Sequence, residues 1–479
     1  MIQKNCECCI LGAGPAGLGA ALELVKHGVK DVVVLDRNAI VGGLARTEIF
    51  GGARFDIGPH RFYTKNKEIH ALWHDLLKDD LRPVSRLTRI CYNQKFFRYP
   101  VQVFDVLYQL GPRESAEAAA SYIKAHFTTK KEPQTFEDWV TQKFGRKLYQ
   151  SFFKTYTEKI WGLPCHEIGA EWASQRIKGL DALTVLKNAL RIQGRDPVKT
   201  LIQEFDYPVK GAGQMYEAMA ERLHQAGVKI CLNSRVVSLE QGSDRIKSVA
   251  VLDEKKERYQ ITARHYFSSI PLTHFFKMLD PPEPPAVQDA EKSLYYREHI
   301  TVNLLIDGKN LFKDQWLYIH SADVKTARVT NYNNFSEVMA GGENQTALSM
   351  EYFTFQNEAL WQMSDGDLKR LAAEELACLG LVRKERIMQA WVVRETGAYP
   401  VYYRDYQPPF NVLKTRIDQF SNLSPIGRGG MYKYNNQDHA TLSGMLAARN
   451  YLKVSDVVHR LWDINVEDDY LEGARRLKK

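Results

Sequence analysis

Short apolar runs and one amphipathic stretch alternate along the first sixty or so residues. Residues 9–11 and 32–35 are apolar runs typical of buried strands. Between them, apolar residues recur three and four positions apart through residues 21–25, which predicts a helix. A strand, a turn, a helix and a second strand form a βαβ unit, so we expect the chain to begin with part of a parallel α/β sheet.

The turn of this unit has the spacing G-x-G-x-x-G, at Gly12, Gly14 and Gly17. The first glycine permits a tight turn, the second lets the backbone approach a pyrophosphate, and the third lets helix and strand pack closely. The start of the helix adds free N–H groups and a positive dipole end. Asp36 closes the second strand, where an acidic side chain can accept a hydrogen bond from a ribose hydroxyl. We therefore predict a dinucleotide-binding unit; a purely structural glycine-rich turn is the alternative.

A second glycine-rich segment follows the second strand. Gly42 and Gly43 suit a loop that folds back over a dinucleotide, and a hairpin is expected around residues 51–52. Gly58 and Pro59 are turn residues, so His60 is expected on a loop that leaves the nucleotide-binding sheet. A histidine there is either a catalytic candidate beside a cofactor or a loop residue that anchors the backbone.

The rest of the chain changes its periodicity several times. A helical pattern with a short two-stranded insertion gives way to an α/β pattern, then to long strands with one helix capped by Ser364, and then to a strand, a glycine-rich turn and a closing helix. We predict an α/β fold with a discontinuous nucleotide-binding domain, a mainly helical insertion that covers the active site, an antiparallel-sheet substrate lobe and a tail helix. The nucleotide-binding domain comprises residues 1–66, 205–275 and 420–455, and the helical insertion comprises residues 67–204. The substrate lobe comprises residues 276–419 and the tail helix residues 456–479.

Composition narrows the class of protein. With 44% hydrophobic and 25% charged residues, the chain of 479 residues is an ordinary globular protein that can bury a large core. Its net charge of +8 fits an anionic substrate, and it fits equally well a protein without a charged partner. No Lys/Arg-rich block is interleaved with aromatic residues, so nucleic acid is not an expected partner.

The seven cysteines are odd in number and match no disulfide framework, so a reducing cytoplasm is the expected location. Three of them cluster as C-E-C-C at residues 6–9, in or just before the first strand. Because no second Cys/His pair is near, core or surface thiols are favoured there and no metal site is predicted. We find no signal peptide and no apolar run of about 18 residues, so no transmembrane segment is expected.

Three widely separated segments resemble the glutathione-reductase-type FAD family, in its amine-oxidase and protoporphyrinogen-oxidase branch. They are LGAGPAGLGAALEL, GGLART and GRGGMYKYNNQDH. The resemblance implies FAD as the cofactor and a Rossmann-like FAD domain, in which the first two segments bind ADP and the last helix points its N-terminus at the flavin. The cofactor-binding residues that it implies are Gly12, Gly14, Ala16, Gly17, Asp36, Arg37, Gly43, Leu44, Ala45, Arg46, Gly58, Pro59, His60, Val236, Val237, Ser269, Gly427, Arg428 and Asp438.

Several shorter segments resemble the UDP-galactopyranose mutase family. They are FDIGPHRFYT, YTEKIWG, SQRIKGL, FDYPVKGAGQMYEAM, LYYREH, AYPVYY and GRGGMYKYNNQD. The resemblance implies a histidine near the flavin, a tryptophan in the nucleotide-sugar pocket, two arginines on the substrate diphosphate and two tyrosines in the same pocket. The histidine is His60, the tryptophan is Trp161, the arginines are Arg176 and Arg297, and the tyrosines are Tyr399 and Tyr434. Thr326 stands where the family has a further phosphate-contacting tyrosine, in a P-Y-T-R-like segment.

This second resemblance implies an isomerase that interconverts the pyranose and furanose rings of a nucleotide sugar for surface polysaccharide synthesis. In that family, N5 of the reduced flavin attacks the anomeric carbon, the nucleotide diphosphate leaves, and the flavin–sugar adduct opens and recloses with the other ring size. The catalytic candidates are then His60, Arg176, Arg297 and Tyr434, because two arginines can clamp a diphosphate and a phenol can donate to it. NAD(P)H is a candidate external reductant, and a homodimer is left open.

Other interpretations remain. The main rival is an FAD-dependent oxidoreductase of the amine-oxidase type, which takes hydride from a C–N or C–C bond; a non-catalytic flavin-binding scaffold is a third. For single residues, Arg176 and Arg297 could instead be structural ion-pair arginines, Trp161 a core aromatic residue, and Tyr434 a packing residue beside the flavin.

Overall fold

The computed structural model describes residues 2–99, 103–128, 131–170, 204–454 and 458–464. The expected tail helix at residues 456–479 lies mostly outside the described residues, and residues 458–464 form only a short 3₁₀ turn at Leu461–Asp463. Arg176 also lies outside the described residues.

The strands include both runs predicted from the apolar pattern, and the first is longer than predicted. Numbered in chain order, they are β1 (Ile2–Leu11), β2 (Val32–Leu35), β3 (Thr47–Phe50), β4 (Ala53–Asp56), β5 (Leu81–Ser85), β6 (Thr88–Tyr92), β7 (Lys95–Arg98), β8 (Glu204–Pro208), β9 (Lys229–Cys231), β10 (Arg235–Gln241), β11 (Ile246–Leu252), β12 (Arg258–Ser268), β13 (Leu279–Asp280), β14 (Tyr296–Asp307), β15 (Trp316–Ile319), β16 (Arg328–Asn331), β17 (Gln345–Thr354), β18 (Ile387–Pro400) and β19 (Leu423–Pro425). β1 extends back to Ile2 because its polar first half pairs with β12 alone, whereas β2 joins only from Cys8 onward.

The helices are numbered in the same way. They are α1 (Pro15–Lys26), α2 (Lys67–Leu77), α3 (Val103–Leu110), α4 (Pro112–Phe127), α5 (Phe136–Phe144), α6 (Arg146–Leu148), α7 (Thr155–Trp161), α8 (Gly213–Gln225), α9 (Leu272–Lys277), α10 (Pro285–Ser293), α11 (Ala359–Gln362), α12 (Asp365–Cys378), α13 (Gln407–Ile417), α14 (Gly427–Gly430) and α15 (Gln437–Leu452). A π-helical turn, Tyr149–Lys154, joins α6 to α7. The expected cap of α12 is confirmed, since the Ser364 side chain accepts from the N–H of Asp367.

Two large mixed sheets organise the described chain. The first has the order β13-β10-β11-β12-β1-β2-β9, with β19 also paired to β12. Its strands β12, β1, β2 and β9 run parallel, whereas β11 runs antiparallel to both of its neighbours, β10 and β12. The second has the order β18-β14-β17-β16-β15-β6-β7 and is antiparallel apart from the β15–β6 pair. The fold is therefore α/β with mixed sheets.

Two short strands inside the expected helical insertion belong to the second sheet. β6 and β7 form the two-stranded insertion that the sequence predicts, and β6 pairs in parallel with β15, with Thr88 opposite Trp316. The remaining described part of that segment is mainly helical, from α2 to α7. One edge of the second sheet is thus supplied by a part of the chain that precedes β14 by about two hundred residues.

Helices cover both faces of the first sheet. Apolar residues of β1, α1, α8 and α15 share one core, which includes Ile10, Leu24, Met215 and Ala448. A second core on the other side joins β10–β12 to α9, α10 and α13. Burial on both faces explains why the parallel strands read as continuous apolar runs in the sequence.

The cysteines lie where the sequence reading places them. Cys6, Cys8 and Cys9 belong to β1 and are buried, and all seven cysteines of the chain are free thiols. No helix within the described ranges is long and apolar enough to cross a membrane.

The closest helix contact in the first core brings the two ends of the chain together. A Cβ atom on Gly444 of α15 would lie 1.9 Å from the carbonyl oxygen of Ala16 and 2.8 Å from the amide nitrogen of Ala20, both in α1. Both neighbours are backbone atoms, which cannot move without shifting a whole helix. α1 and α15 therefore pack at a distance that only glycine permits at this position.

We expect Gly444→Ala to lower the free energy of unfolding by about 1–3 kcal/mol, the usual cost of overpacking, because α15 must move away from α1. Denaturant unfolding measures this. The matched control is Gly366→Ala in the first turn of α12, where the nearest atom would be Ser364 Oγ at 3.7 Å. This control should be neutral or stabilise the protein by up to about 1 kcal/mol. Equal effects of the two substitutions would contradict the close-packing argument.

Candidate active site

One large cavity is lined by residues of both sheets. It encloses about 1060 Å³, enough for a large ligand. Most residues predicted to bind cofactor or substrate line it, and these are Gly12, Gly14, Ala16, Asp36, Arg37, Gly43, Leu44, Ala45, Gly58, Pro59, His60, Trp161, Val236, Val237, Ser269, Tyr399, Gly427, Arg428 and Tyr434. Segments more than four hundred residues apart in the chain therefore meet at a single cavity.

The β1–α1 turn forms one end of this cavity, and its three glycines differ in what surrounds them. A Cβ on Gly12 would lie 2.0 Å from Ser269 Oγ, and one on Gly17 would lie 1.8 Å from the Gly12 carbonyl oxygen. A Cβ on Gly14 would meet nothing closer than 3.7 Å. Gly12 is thus required by its φ of 119° and Gly17 by packing against the backbone of the turn. Gly17 does not line the cavity, whereas Gly14 keeps the backbone open toward it.

The start of α1 fits a pyrophosphate. Gly14 is its N-cap residue and supplies no side-chain hydrogen bond to the first turn. The first N–H groups of a helix have no partner within the helix, and they attract anions together with the helix dipole. The open approach at Gly14 and these N–H groups match what a bound dinucleotide needs.

Asp36 holds the shape of this turn. One carboxylate oxygen accepts from the N–H of Ala13 at 2.7 Å, and the other accepts from the N–H of Asn38 at 2.8 Å. Burial raises the pKa of this carboxyl, against the lowering effect of the two hydrogen bonds. The residue lines the cavity at the end of β2, as the sequence predicts for a ribose contact.

His60 lies on the loop that follows β4. Its Nε2 is 3.0 Å from the carbonyl oxygen of Leu44, so Nε2 carries the proton and Nδ1 is left as an acceptor. Burial lowers the pKa of this imidazole to about 4, with a further contribution from the positive charges of Arg428 and Arg328. At neutral pH, His60 is therefore a neutral ring with a fixed tautomer at the cavity wall.

Arg428, in α14, organises two tyrosines on the cavity wall. Its Nε and Nη2 donate to the Asn435 carbonyl oxygen at 3.0 and 2.8 Å. The guanidinium lies over the rings of Tyr399 and Tyr434, 4.8 and 4.7 Å from their centroids. These two rings stack with centroids 6.0 Å apart and planes 27° apart. Cation–π contact with both rings fixes the pair.

Another cavity-lining arginine, Arg328, was not among the residues predicted from the sequence. It begins β16 and pairs with Glu351 of β17, and the same carboxylate oxygen is 3.0 Å from Nε2 of His299 in β14. Glu351 is fully buried, and its pKa is lowered mainly by the charge of Arg328, against the effect of burial. The buried Nε of Arg328 has no hydrogen-bond partner among the described residues.

A signal for Arg328 does exist in the sequence. In the segment A-D-V-K-T-A-R, Thr326 stands at the tyrosine position of the P-Y-T-R-like pattern. The arginine of the pattern falls two residues later, on Arg328. Thr326 itself does not line the cavity: it is fully buried, and its hydroxyl donates to backbone carbonyl oxygens of Arg328 and Glu351.

Arg297 is placed differently from the sequence prediction, because it does not line the cavity. It is buried, and its guanidinium donates to the carbonyl oxygens of Ile160 at 3.2 Å and Phe353 at 3.0 Å and pairs with Glu358 at 3.1 Å. A Cβ on Gly162, just after α7, would lie 2.3 Å from this guanidinium. Arg297 thus joins the C-terminal end of α7, where Trp161 lies, to β17. This contact pattern fits the alternative that Arg297 is a structural ion-pair arginine.

Two further predicted cofactor contacts also lie away from the cavity. Arg46 is buried and pairs with Glu48 and Glu395. Asp438, in the first turn of α15, is buried, and burial raises its pKa to about 7. Arg46 supports the cavity-lining loop from behind, since it also donates to the Gly43 carbonyl oxygen at 3.0 Å.

One cluster of side chains of the kinds that bind metal ions lies outside the cavity. The side chains of His70 and His74 in α2 and Asp206 in β8 bring one ligand atom each to within 4.8 Å of one another. These residues were not predicted from the sequence to lie together. His74 Nε2 and Asp206 are 3.2 Å apart, so a histidine–carboxylate hydrogen bond accounts for their proximity.

Comparison with known proteins identifies the family. The model of the flavin containing amine oxidoreductases matches residues 15–450, so this chain belongs to that family. It is a flavin-dependent enzyme of the amine-oxidase superfamily, and the family supports FAD as its cofactor.

Two curated relatives match about a third of the chain. One is a probable UDP-galactopyranose mutase from Klebsiella pneumoniae, 28% identical over 176 residues, which are 35% of this chain and 44% of that protein. The other is a dTDP-fucopyranose mutase from Escherichia coli, 31% identical over 170 residues, which are 34% of this chain and 43% of that protein. The matched part of the chain spans less than half the length of these relatives.

Solved structures show the same fold. Reduced UDP-galactopyranose mutase aligns over 98% of this chain and 100% of its own, with a TM-score of 0.82 and 19% identity. Wild-type putrescine oxidase bound to putrescine aligns over 94% of this chain and 100% of its own, with a TM-score of 0.63 and 16% identity. The structural likeness is therefore greater to the mutase.

We expect Arg297→Ala to lower the free energy of unfolding by about 2–4 kcal/mol, because it leaves buried carbonyl groups without donors. Denaturant unfolding and nucleotide titration should be measured together. Arg370→Ala, at an exposed ion pair in α12, is the control and should cost less than about 1 kcal/mol. Unchanged stability of the Arg297 variant with weaker nucleotide binding would instead restore the diphosphate role.

His60 should make the protein acid-labile. The folded protein keeps His60 neutral down to a pKa of about 4, whereas the unfolded chain takes up this proton near the ordinary value of 6.5. Stability is therefore present above pH 6.5 and is lost as pH falls toward 4. In His60→Gln this loss should be smaller by about 3 kcal/mol, measured as the free energy of unfolding against pH. Parallel curves for the two proteins would contradict this expectation.

Proposed function

We propose that this protein is an FAD-dependent mutase that interconverts the pyranose and furanose forms of a nucleotide sugar. The observation that carries the proposal is that Arg328, a partly buried cation, lines the cavity, as does Arg428. Guanidinium groups on a cavity wall offer planar forks of donors that suit an anionic ligand. A diphosphate is an anion of this kind.

The electrostatics of the cavity support a mutase over an amine oxidase. Arg328 and Arg428 both line it, and the carboxylate of Glu351 is already paired to Arg328. An amine substrate is a cation at neutral pH and would meet two guanidinium groups without a free carboxylate between them. A nucleoside diphosphate carries the complementary charge.

In this proposal, FAD is held by the predicted cofactor residues that line the cavity, chiefly the β1–α1 turn at Gly12 and Gly14, Asp36, and the loop of His60. When bound and reduced, the flavin supplies a nucleophile for the anomeric carbon of the sugar. The finer domain division predicted from the sequence stays part of the proposal: residues 1–66, 205–275 and 420–455 hold FAD, residues 67–204 cover the site, and residues 276–419 form the substrate lobe. Its boundaries are crossed at two places, because β6 and β7 belong to the second sheet and β13 belongs to the first.

The side chains of this protein position the substrate and stabilise the leaving diphosphate. Arg328 offers a planar fork of donors, and Tyr434, whose ring is held by Arg428, adds a phenolic donor on the wall of the same cavity. Trp161, at the end of α7, lines the cavity and presents an apolar ring to the nucleotide or sugar. His60 is neutral and offers an acceptor at Nδ1, so it can orient a sugar hydroxyl without exchanging a proton. Fixed donors around a departing anion lower the barrier.

The second candidate is an oxidoreductase of the amine-oxidase type, favoured by the family itself and by the fold shared with putrescine oxidase. It differs from the mutase in its redox balance. An oxidase consumes an oxidant in every turnover, whereas a mutase needs the flavin reduced once and then consumes none.

We expect dithionite-reduced protein to change the ring size of UDP-galactopyranose or dTDP-fucopyranose, detected by chromatography of the products, without consuming oxygen. Oxidised protein should be inactive. UDP should bind, and Arg328→Lys should weaken it by about tenfold, since the charge remains but the fork is lost. Arg394→Lys, at a surface pair in β18, should leave binding unchanged. Steady oxygen consumption with putrescine, or no UDP binding at millimolar concentration, would overturn the proposal.

A further inference from the structure

Two histidines on one face of α2 lie next to an aspartate of β8, outside the cavity. His70 and His74 are four positions apart, which places them on the same side of the helix. Their ring centroids are 4.3 Å apart, and Nε2 of His74 is 3.2 Å from a carboxylate oxygen of Asp206. One ligand atom from each of the three side chains lies within 4.8 Å of the other two. The hydrogen bond explains the approach of His74 to Asp206, but it does not involve His70.

The spacing of these ligand atoms suits a transition-metal ion. Zn²⁺ is bound by histidine nitrogen and aspartate oxygen at about 2.0–2.2 Å, so two of its tetrahedral ligand atoms lie about 3.4 Å apart. The His74–Asp206 pair has nearly this spacing already. The ligand atom of His70 is at most 4.8 Å away, and His70 is exposed, so a turn of its side chain in the solvent closes the difference.

The charge and exposure of the cluster also suit a divalent cation. Among the described residues, Asp206 forms its ion pair with His74 and none with a lysine or arginine. The Asp206 side chain is 26% exposed and that of His74 is 40% exposed, so an ion can reach both from the solvent. Two imidazoles and one carboxylate are ligands typical of Zn²⁺, Cu²⁺ or Ni²⁺, whereas Mg²⁺ and Ca²⁺ prefer oxygen ligands alone.

The elements that carry these ligands both contact Phe62, in the segment after β4. Asp206 exchanges two backbone hydrogen bonds with Phe62, each 3.0 Å long. The Phe62 ring packs edge-on against Trp73, which lies between the two histidines in α2, with centroids 4.9 Å apart. An ion bound by α2 and β8 would therefore hold together the two elements that contact Phe62. This residue directly follows His60 and Arg61, which line the cavity.

We propose that His70, His74 and Asp206 bind a divalent transition-metal ion, with Zn²⁺ as the first candidate, and that this ion fastens α2 to β8. The histidines supply two nitrogen ligands and the aspartate one oxygen ligand. Water takes the remaining coordination position, because the cluster is open to solvent on the side of His70. The role of the ion is structural. It does not depend on the reaction proposed above, since the three ligands lie outside the cavity.

The test titrates Zn²⁺ and Co²⁺ into the FAD-loaded full chain, prepared without an affinity tag and freed of metal by chelation. Calorimetry should show one Zn²⁺ site with a Kd below about 100 µM. The Co²⁺ difference spectrum should show the visible bands of nitrogen and oxygen ligation without a sulfur-to-metal charge-transfer band, which excludes the free thiols as ligands. Zn²⁺ should raise the melting temperature by a few degrees, and chelation should reverse the rise.

Single substitutions identify the ligands. His70→Asn and Asp206→Asn should each weaken Zn²⁺ binding by at least about tenfold and remove the rise in melting temperature. Asn at position 206 keeps an oxygen that can accept a hydrogen bond from His74, so this variant removes the charged ligand rather than the hydrogen bond. The matched controls are His224→Asn, at an exposed histidine of α8, and Cys378→Ser, at an exposed thiol. Both controls should bind Zn²⁺ as wild type does.

Three results would overturn the proposal. The first is a Kd for Zn²⁺ weaker than about 100 µM in the wild-type protein. The second is equal Zn²⁺ binding by the wild type and by both cluster variants, which would place the ion elsewhere. The third is Zn²⁺ binding that leaves the melting temperature unchanged, because an ion that fastens α2 to β8 must stabilise the folded state.

Discussion

The contact between α1 and α15 is the constraint on which the rest of this structure depends. Gly444 permits the backbone of α15 to touch the backbone of α1 at Ala16, and Gly17 permits α1 to touch the turn that precedes it. These contacts place the N-terminal glycine turn beside the segment that contains Gly427 and Arg428. The cavity exists because two helices from opposite ends of the chain approach as closely as their backbones allow.

The electrostatics of the cavity follow a simple division. Carboxylates near its wall are already occupied: Glu351 by Arg328 and His299, and Asp36 by two backbone N–H groups. Among the described residues, in contrast, five arginines line the cavity: Arg37, Arg61, Arg235, Arg328 and Arg428. The interior is therefore positive although the ionised groups of the whole chain nearly balance, with 65 basic and 57 acidic residues. A site of this kind selects anions as much by repelling cationic ligands as by binding anionic ones.

Much of the cofactor end of the site could be predicted from the sequence, because backbone geometry dictates it. Gly12, Gly14 and Asp36 are tied to a turn whose residue types and spacing leave few alternatives, and they line the cavity as expected. The substrate end was less predictable. Arg297 and Arg328 both lie at the start of a strand of the second sheet, yet one faces a helix end and the other the cavity. Which way each points depends on strand register and on the position of Gly162, and neither can be read from local residue types.

The π-helical turn at Tyr149–Lys154 has a consequence for how this enzyme can vary. In an α-helix each residue turns the chain by about 100°, so one residue more or fewer in this segment would rotate every side chain of α7 by that angle. Phe152 within the turn and Tyr156 and Trp161 beyond it all line the cavity. Substitutions here can adjust the shape of the cavity one side chain at a time. An insertion or deletion of a single residue would instead change every side chain that α7 presents to the cavity. Length, rather than residue identity, is what natural variation must preserve in this segment.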